Sequence, residues 1–184
     1  MSEIPEKPDL FAMFRAVDEA CRNGDMDGLR AAVGNPSDFP NNMLPAELEI
    51  GESILLHAIY FAPVSFVGAL IDAGANVRFE GSEKIPVLFA AILCERDDRI
   101  QIMQTLLDKG ADLAQLGYND WSPLHLAVNA RDVDAISLLV SRGADPYWRA
   151  GDEQADTSAF DDALAMGFDE GVEAMLNAGS SPQV

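Results

Sequence analysis

The sequence predicts an all-α solenoid of about five helix-turn-helix repeats, and three observations carry that prediction. A closing glycine recurs at Gly74, Gly110, Gly143 and Gly179, at spacings of 36, 33 and 36 residues. A small residue ending an opening hexad recurs at Ala58, Ala90, Ala127 and Ala163, at spacings of 32, 37 and 36. Between these landmarks apolar residues fall at helical intervals, as in Val133, Ile136, Leu139 and Val140, or Val67, Leu70 and Ile71. From the small residue to the glycine the distance is 16 residues in three units and 20 in the unit containing Ala90. A constant interval inside a variable period means a fixed two-helix body joined by loops of changeable length. Units of this size bury a core only against their neighbours.

The first unit is visible from Val17 to Val33, where Ala20 and Gly24 line up with Ala163 and Gly167, although no Gly-Ala-Asp follows. The second opens on the hexad Ser53 to Ala58. The third opens at Ile85 and keeps a proline at Pro86, and four extra residues around Cys94 to Gln101 lengthen the loop between its helices. The fourth, Trp121 to Pro146, has the fullest pattern: Ser122 suits an N-cap, and Pro123 suits the first helical turn, where its missing N–H costs nothing. The fifth opens on Ser158 to Ala163. Each closing glycine sits just past a second helix, where a left-handed residue commonly ends it.

Ser122, Pro123, Leu124, His125, Leu126 and Ala127 resemble the ankyrin-repeat signature Thr-Pro-Leu-His-x-Ala, and the resemblance extends from roughly Leu10 to Gly179. Other units depart from it. His57 stands one place later than His125, and Leu88 and Asp161 occupy the histidine position in their hexads. The resemblance implies an ankyrin-repeat domain over 10–184 behind a flexible tail, 1–9. Its units would fall near 10–50, 51–83, 84–119, 120–155 and 156–184, with the first and last as caps. It also implies that loops between repeats project as fingers and that first helices line a concave surface. Two residues after each hexad then face that surface: Arg22 and Asn23, Tyr60 and Phe61, Ile92 and Leu93, Asn129 and Ala130, Ala165 and Met166. Glu52, Lys84, Trp121 and Thr157 stand at finger tips, with Tyr118 and Asn119 further back in the third finger. The candidate partner-binding set is Tyr60, Phe61, Ile92, Leu93, Tyr118, Asn119, Trp121 and Asn129. On this placement Tyr60, Phe61, Ile92, Leu93 and Trp121 are near neighbours.

An apolar, aromatic cluster of this kind marks an interaction surface if it is exposed. A second reading stands beside the first: the cluster falls in the two most irregular repeats, where helix ends can rotate inward or the segment from Pro36 to Gly51 can cover Tyr60. Tyr147 and Trp148 carry the same ambiguity.

Charge narrows the partner. The chain has 12 basic and 31 acidic residues, a net of −19, and residues 150–184 contain eight carboxylates with no Lys or Arg. Such a field opposes binding to nucleic-acid phosphate and anionic membrane, and it attracts a basic protein. Asp152, Glu153 and Asp156 form the candidate steering patch. The alternative is that the acid keeps a terminal repeat soluble. No apolar run is long enough to span a bilayer, and the start lacks a hydrophobic signal region. These features favour a cytoplasmic, monomeric protein with Cys21 and Cys94 as free thiols.

Catalysis finds no support. The two histidines, His57 and His125, fall in hexads, where the resemblance implies a structural hydrogen bond from His125 to neighbouring loops and His57 replaces an apolar residue. There is no phosphate-binding glycine loop, HExxH or paired-cysteine pattern, so no cofactor, metal or catalytic residue is expected. The reading is a non-enzymatic protein-interaction module with an apolar centre and an acidic C-terminal end. The alternatives are an acidic inhibitor or immunity-type protein that neutralises a basic toxin or nuclease, and an accessory regulatory subunit of an enzyme.

Overall fold

A computed structural model of the chain describes residues 10–44, 53–78, 85–150 and 157–178. Among the described residues it contains ten α-helices in five consecutive pairs, and two strands of two residues each. The chain groups into two compact units, residues 1–75 and 76–184.

In the first unit, α1 (Leu10–Asn23) packs on α2 (Met26–Ala32) and on α3 (Ile54–Phe61), and α3 packs on α4 (Val64–Asp72). Val17, Ala20 and Cys21 share one face of α1 and are its buried residues. Asp25 caps α2 through the Gly28 N–H at 2.9 Å, and Ser53 caps α3 through the Leu56 N–H at 3.2 Å. Ile54 to Ile59 are all buried, as expected of a helix apolar on every side. The Asn41 amide donates to the Gly74 carbonyl at 2.9 Å, fastening the segment after α2 to the end of α4.

The second unit contains α5 (Val87–Leu93), α6 (Arg99–Asp108), α7 (Pro123–Asn129), α8 (Val133–Ser141), α9 (Ala159–Ala165) and α10 (Asp169–Ala178). The first helices α5, α7 and α9 pack in series, as do the second helices α6, α8 and α10, and each pair also packs together. Two helical layers result, with Phe89, Ile102, Leu106, Leu124, Ala127, Ile136, Leu139 and Ala163 buried in the core. Helices of seven residues are too short to persist alone in water, so packing between layers supplies their stability. Gly110 and Gly143 end their second helices at φ 91° and 99°, the left-handed conformation the sequence predicts.

The joints inside the pairs differ. After α7, Arg131 adopts φ 54°, the conformation that Gly167 (φ 58°) adopts after α9. Both joints close with the same pair of backbone bonds: Arg131 N–H to Val128 O and Asp132 N–H to Ala127 O, then Gly167 N–H to Leu164 O and Phe168 N–H to Ala163 O. A side chain in this conformation costs roughly 1–2 kcal/mol. The Arg131 guanidinium lies 4.6 Å from the centre of the Phe168 ring, a cation–π contact that offsets part of that cost. The α5–α6 joint is longer, Cys94 to Asp98. Before α9, β1 (Arg149–Ala150) pairs antiparallel with β2 (Thr157–Ser158).

Candidate functional site

The scaffold of the fourth repeat is built by its signature residues. Ser122 Oγ accepts the His125 N–H at the start of α7. The buried His125 ring spans two repeats: Nε2 lies 3.2 Å from the Thr157 carbonyl and Nδ1 2.7 Å from Ser122 Oγ. A carbonyl can only accept, so Nε2 carries the proton and Nδ1 accepts from the Ser122 hydroxyl. Burial lowers the His125 pKa, and the Thr157 bond and Asp162 charge only partly oppose it. The ring is therefore a neutral strut. Its neighbour Trp148 meets it edge-on at 5.9 Å.

The finger before α7 is equally constrained. Gly117 has no room for a side chain: a Cβ there would collide with the buried Phe89 ring. Its N–H donates to the Trp121 carbonyl at 2.9 Å. Between them Asn119 and Asp120 are left-handed (φ 58° and 53°), a conformation their short polar side chains tolerate. Tyr118 is half-buried and packs edge-on against Phe89 at 5.4 Å and tilted toward Trp121 at 6.0 Å. Tyr118 therefore helps support the finger while keeping part of its ring at the surface. Asn119 is exposed and Trp121 is partly exposed.

Trp121 and Asn129 converge with Ala165 and Met166, both also expected to face outward from their first helix. Together with His125 and Asp162 they line a cleft of about 210 Å³. Asp162 was not singled out in the sequence except as part of an acidic run. Met166, four residues later, is the right-handed C-cap residue of α9, and that four-residue spacing places both on one face. Leu93, on α5, is 42% exposed, whereas its neighbour Ile92 is 5% exposed. Ile92 is core, which corrects its assignment to the binding surface. Adjacent helical residues point about 100° apart, so only one of this pair reaches solvent.

Tyr60 and Phe61 lie in the first unit, at the end of α3. Phe61 is 41% exposed, with the Arg22 guanidinium 4.8 Å from its ring centre and His57 4.8 Å away. Tyr60 is partly buried, 6.1 Å from Phe61. His57 is fully enclosed, with Phe14 edge-on at 5.6 Å, and its Nε2 lies 3.5 Å from Asp18 Oδ1, at the limit of a hydrogen bond. Burial lowers the His57 pKa against the pull of Asp18. A one-residue shift from the signature position has turned this histidine toward α1.

A larger, polar cleft of about 540 Å³ runs between the Cys94–Arg99 joint and Ala130–Asp134. Its three cations are engaged: Arg96 pairs with Asp98 at 2.7 Å, Arg99 forks onto Asp132 at 2.8 and 2.9 Å, and Arg131 lies over the Phe168 ring. Both cysteines are buried and unpaired. Burial, reinforced by Asp18, pushes the Cys21 thiol up to about 12, and burial raises Cys94 also, so neither is a ready nucleophile. Among the described residues, no group of three or more His, Cys, Asp or Glu is placed to hold a metal ion. No described helix is long and apolar enough to cross a membrane. The acidic patch Asp152, Glu153 and Asp156, the finger-tip Glu52 and Lys84, and the 1–9 tail lie outside the described residues.

The family profile described as Ankyrin repeat matches residues 119–150, which take in the Trp121 finger, α7 and α8. The chain is 28% identical over 135 residues to the ankyrin repeat and KH domain-containing protein mask-1 of Caenorhabditis elegans, covering 73% of this chain and 5% of that protein. It is 45% identical over 56 residues to the 2-5A-dependent ribonuclease of Mus musculus, covering 30% of this chain and 8% of the ribonuclease. Against palmitoyltransferase Hip14 of Drosophila melanogaster it is 29% identical over 106 residues, covering 57% of this chain and 16% of the relative. The chain thus spans only a small part of the length of these relatives. Paired helices, left-handed closing glycines and the Ser122–His125–Thr157 strut agree with these matches: residues 119–150 are an ankyrin repeat, and the other described helix pairs are built on the same plan.

Proposed function

We propose that this chain is a non-enzymatic protein-binding module that works in the cytoplasm as a monomer. Its working surface is built from positions of the second unit that the repeat motif leaves free, chiefly Leu93, Asn119, Trp121 and Asn129; Tyr60 and Phe61 are the corresponding free positions of the first unit, taken by itself. The observation that carries this reading is the cleft where Trp121 and Asn129 meet Asp162 and Met166 on a scaffold of buried, hydrogen-bonded signature residues. Such a surface is preformed, so binding orders little of the protein. The acid of residues 150–184, including Asp152, Glu153 and Asp156, steers a basic partner toward it.

One observation favours a second reading. A net charge of −19 with an acid-only C-terminal stretch is what an inhibitor of a basic toxin or nuclease requires. Affinity capture followed by mass spectrometry separates the two. A basic, non-enzymatic protein supports the module reading. A toxin or nuclease whose activity is blocked by the chain supports the inhibitor reading. Capture of no protein above a scrambled-charge control overturns both.

A further inference from the structure

We infer that the cleft lined by Trp121, His125, Asn129, Asp162, Ala165 and Met166 receives one arginine side chain of the partner. This inference rests on the protein-binding reading above and names what that surface recognises. At about 210 Å³, the cleft is smaller than the roughly 300–1,000 Å³ of typical small-molecule sites, and it suits a single long side chain. Trp121 supplies an indole on which a guanidinium stacks. Ala165 and Met166 supply apolar contact for an aliphatic stem.

The polar groups decide the charge of the occupant. Among the described residues, neither the Asp162 carboxylate nor the Asn129 amide makes a side-chain hydrogen bond, so both stand open to a ligand. His125 adds no cation, because its ring nitrogens are committed to Ser122 and Thr157 and its burial favours the neutral form. Residues 157–178 hold five carboxylates (Asp161, Asp162, Asp169, Glu170 and Glu173) and no Lys or Arg, and the nearby Arg149 is engaged with Asp161 at 3.2 Å. An anionic group would be repelled. A purely apolar group would strip water from Asp162 and Asn129 without replacing it. A lysine matches the charge but lacks the planar fork that pairs with a carboxylate while stacking on an indole.

The test uses the ¹⁵N-labelled full chain titrated with N-acetyl-arginine methylamide, its lysine counterpart and its uncharged citrulline counterpart. Side-chain resonances of Trp121 and Asn129 are followed. The expected result is a saturable shift with the arginine probe, a weaker response to lysine and none to citrulline. Asp162→Asn should weaken the arginine response about tenfold, the loss expected of one charge-assisted hydrogen bond. Asn129→Ala, at an exposed position, gives an independent reduction should Asp162→Asn disturb α9. Equal responses to citrulline and arginine, or no saturation at these resonances, overturn the assignment. Failure here is distinguishable from failure of the protein-binding reading. If a partner is captured with undiminished affinity by Asp162→Asn, the arginine pocket alone falls; if the probes bind and no partner is captured, the module reading alone falls.

Discussion

At the residue scale, the signature side chains act as struts and the positions between them are left for recognition. Ser122 and His125 were legible in the sequence because capping and the family histidine each carry a local signal. The Thr157 carbonyl that completes the strut was not, because that bond joins residues 32 apart. His57 and His125 are buried with lowered pKa values, so each takes up a proton less readily folded than unfolded. Stability is therefore full above the ordinary histidine value of 6.5 and is lost as pH falls below it. Thermal unfolding from pH 7.5 to 5 should show a falling Tm, with a shallower fall in His57→Gln or His125→Gln; parallel slopes in all three proteins would contradict the buried-neutral assignment. The thiols give a second check. Cys21 and Cys94 should react with a disulfide reagent orders of magnitude more slowly in the native protein than in denaturant, and prompt native-state labelling would show that they are accessible.

At the scale of elements, Asp132 does two things at once. It caps α8 through the Ala135 N–H at 3.1 Å, and it takes the fork of Arg99 from the start of α6. Burial alone would raise the Asp132 carboxyl, but the Arg99 hydrogen bonds, the Ala135 N–H and the Arg99 charge hold it below its ordinary range. Asp132→Ala loses both contacts and should cost about 2 kcal/mol. Asp132→Asn keeps a capping oxygen and should cost about half of that. Equal losses in denaturant unfolding would mean that the cap contributes nothing, and no loss in Asp132→Asn would mean that the Arg99 pair contributes nothing. Helix identity and pairing were readable from period and spacing, and so was the longer α5–α6 joint. The register at the end of α5 was not. α7 and α9 pass through a right-handed residue, Ala130 or Met166, into the left-handed joint, whereas α5 runs one residue further and leaves extended at Cys94 (φ −70°, ψ 129°). In α5, Ile92 is buried and Leu93 is left outside.

At the scale of the whole molecule, charge and surface apolarity act over different ranges. The net charge of −19 acts across a Debye length of about 8 Å at physiological salt, so it shapes the encounter with a partner more than the bound contact. Raising ionic strength should slow association with a basic partner while changing dissociation little; a salt-independent association rate would remove steering from the account. The acid was fully legible in the sequence, because composition needs no fold. The cleft was legible only in part: Trp121, Asn129, Ala165 and Met166 could be placed by analogy of position, but Asp162 was hidden among other carboxylates. The central claim is that recognition resides in those free positions and not in the scaffold beneath them. It is tested most directly by measuring the affinity of the captured partner for Trp121→Ala and Leu93→Ser beside their thermal unfolding. The account predicts that affinity drops at least tenfold, the effect of removing a binding anchor, while Tm stays within a few degrees of the parent. Unchanged affinity, or a loss that tracks unfolding, would contradict it.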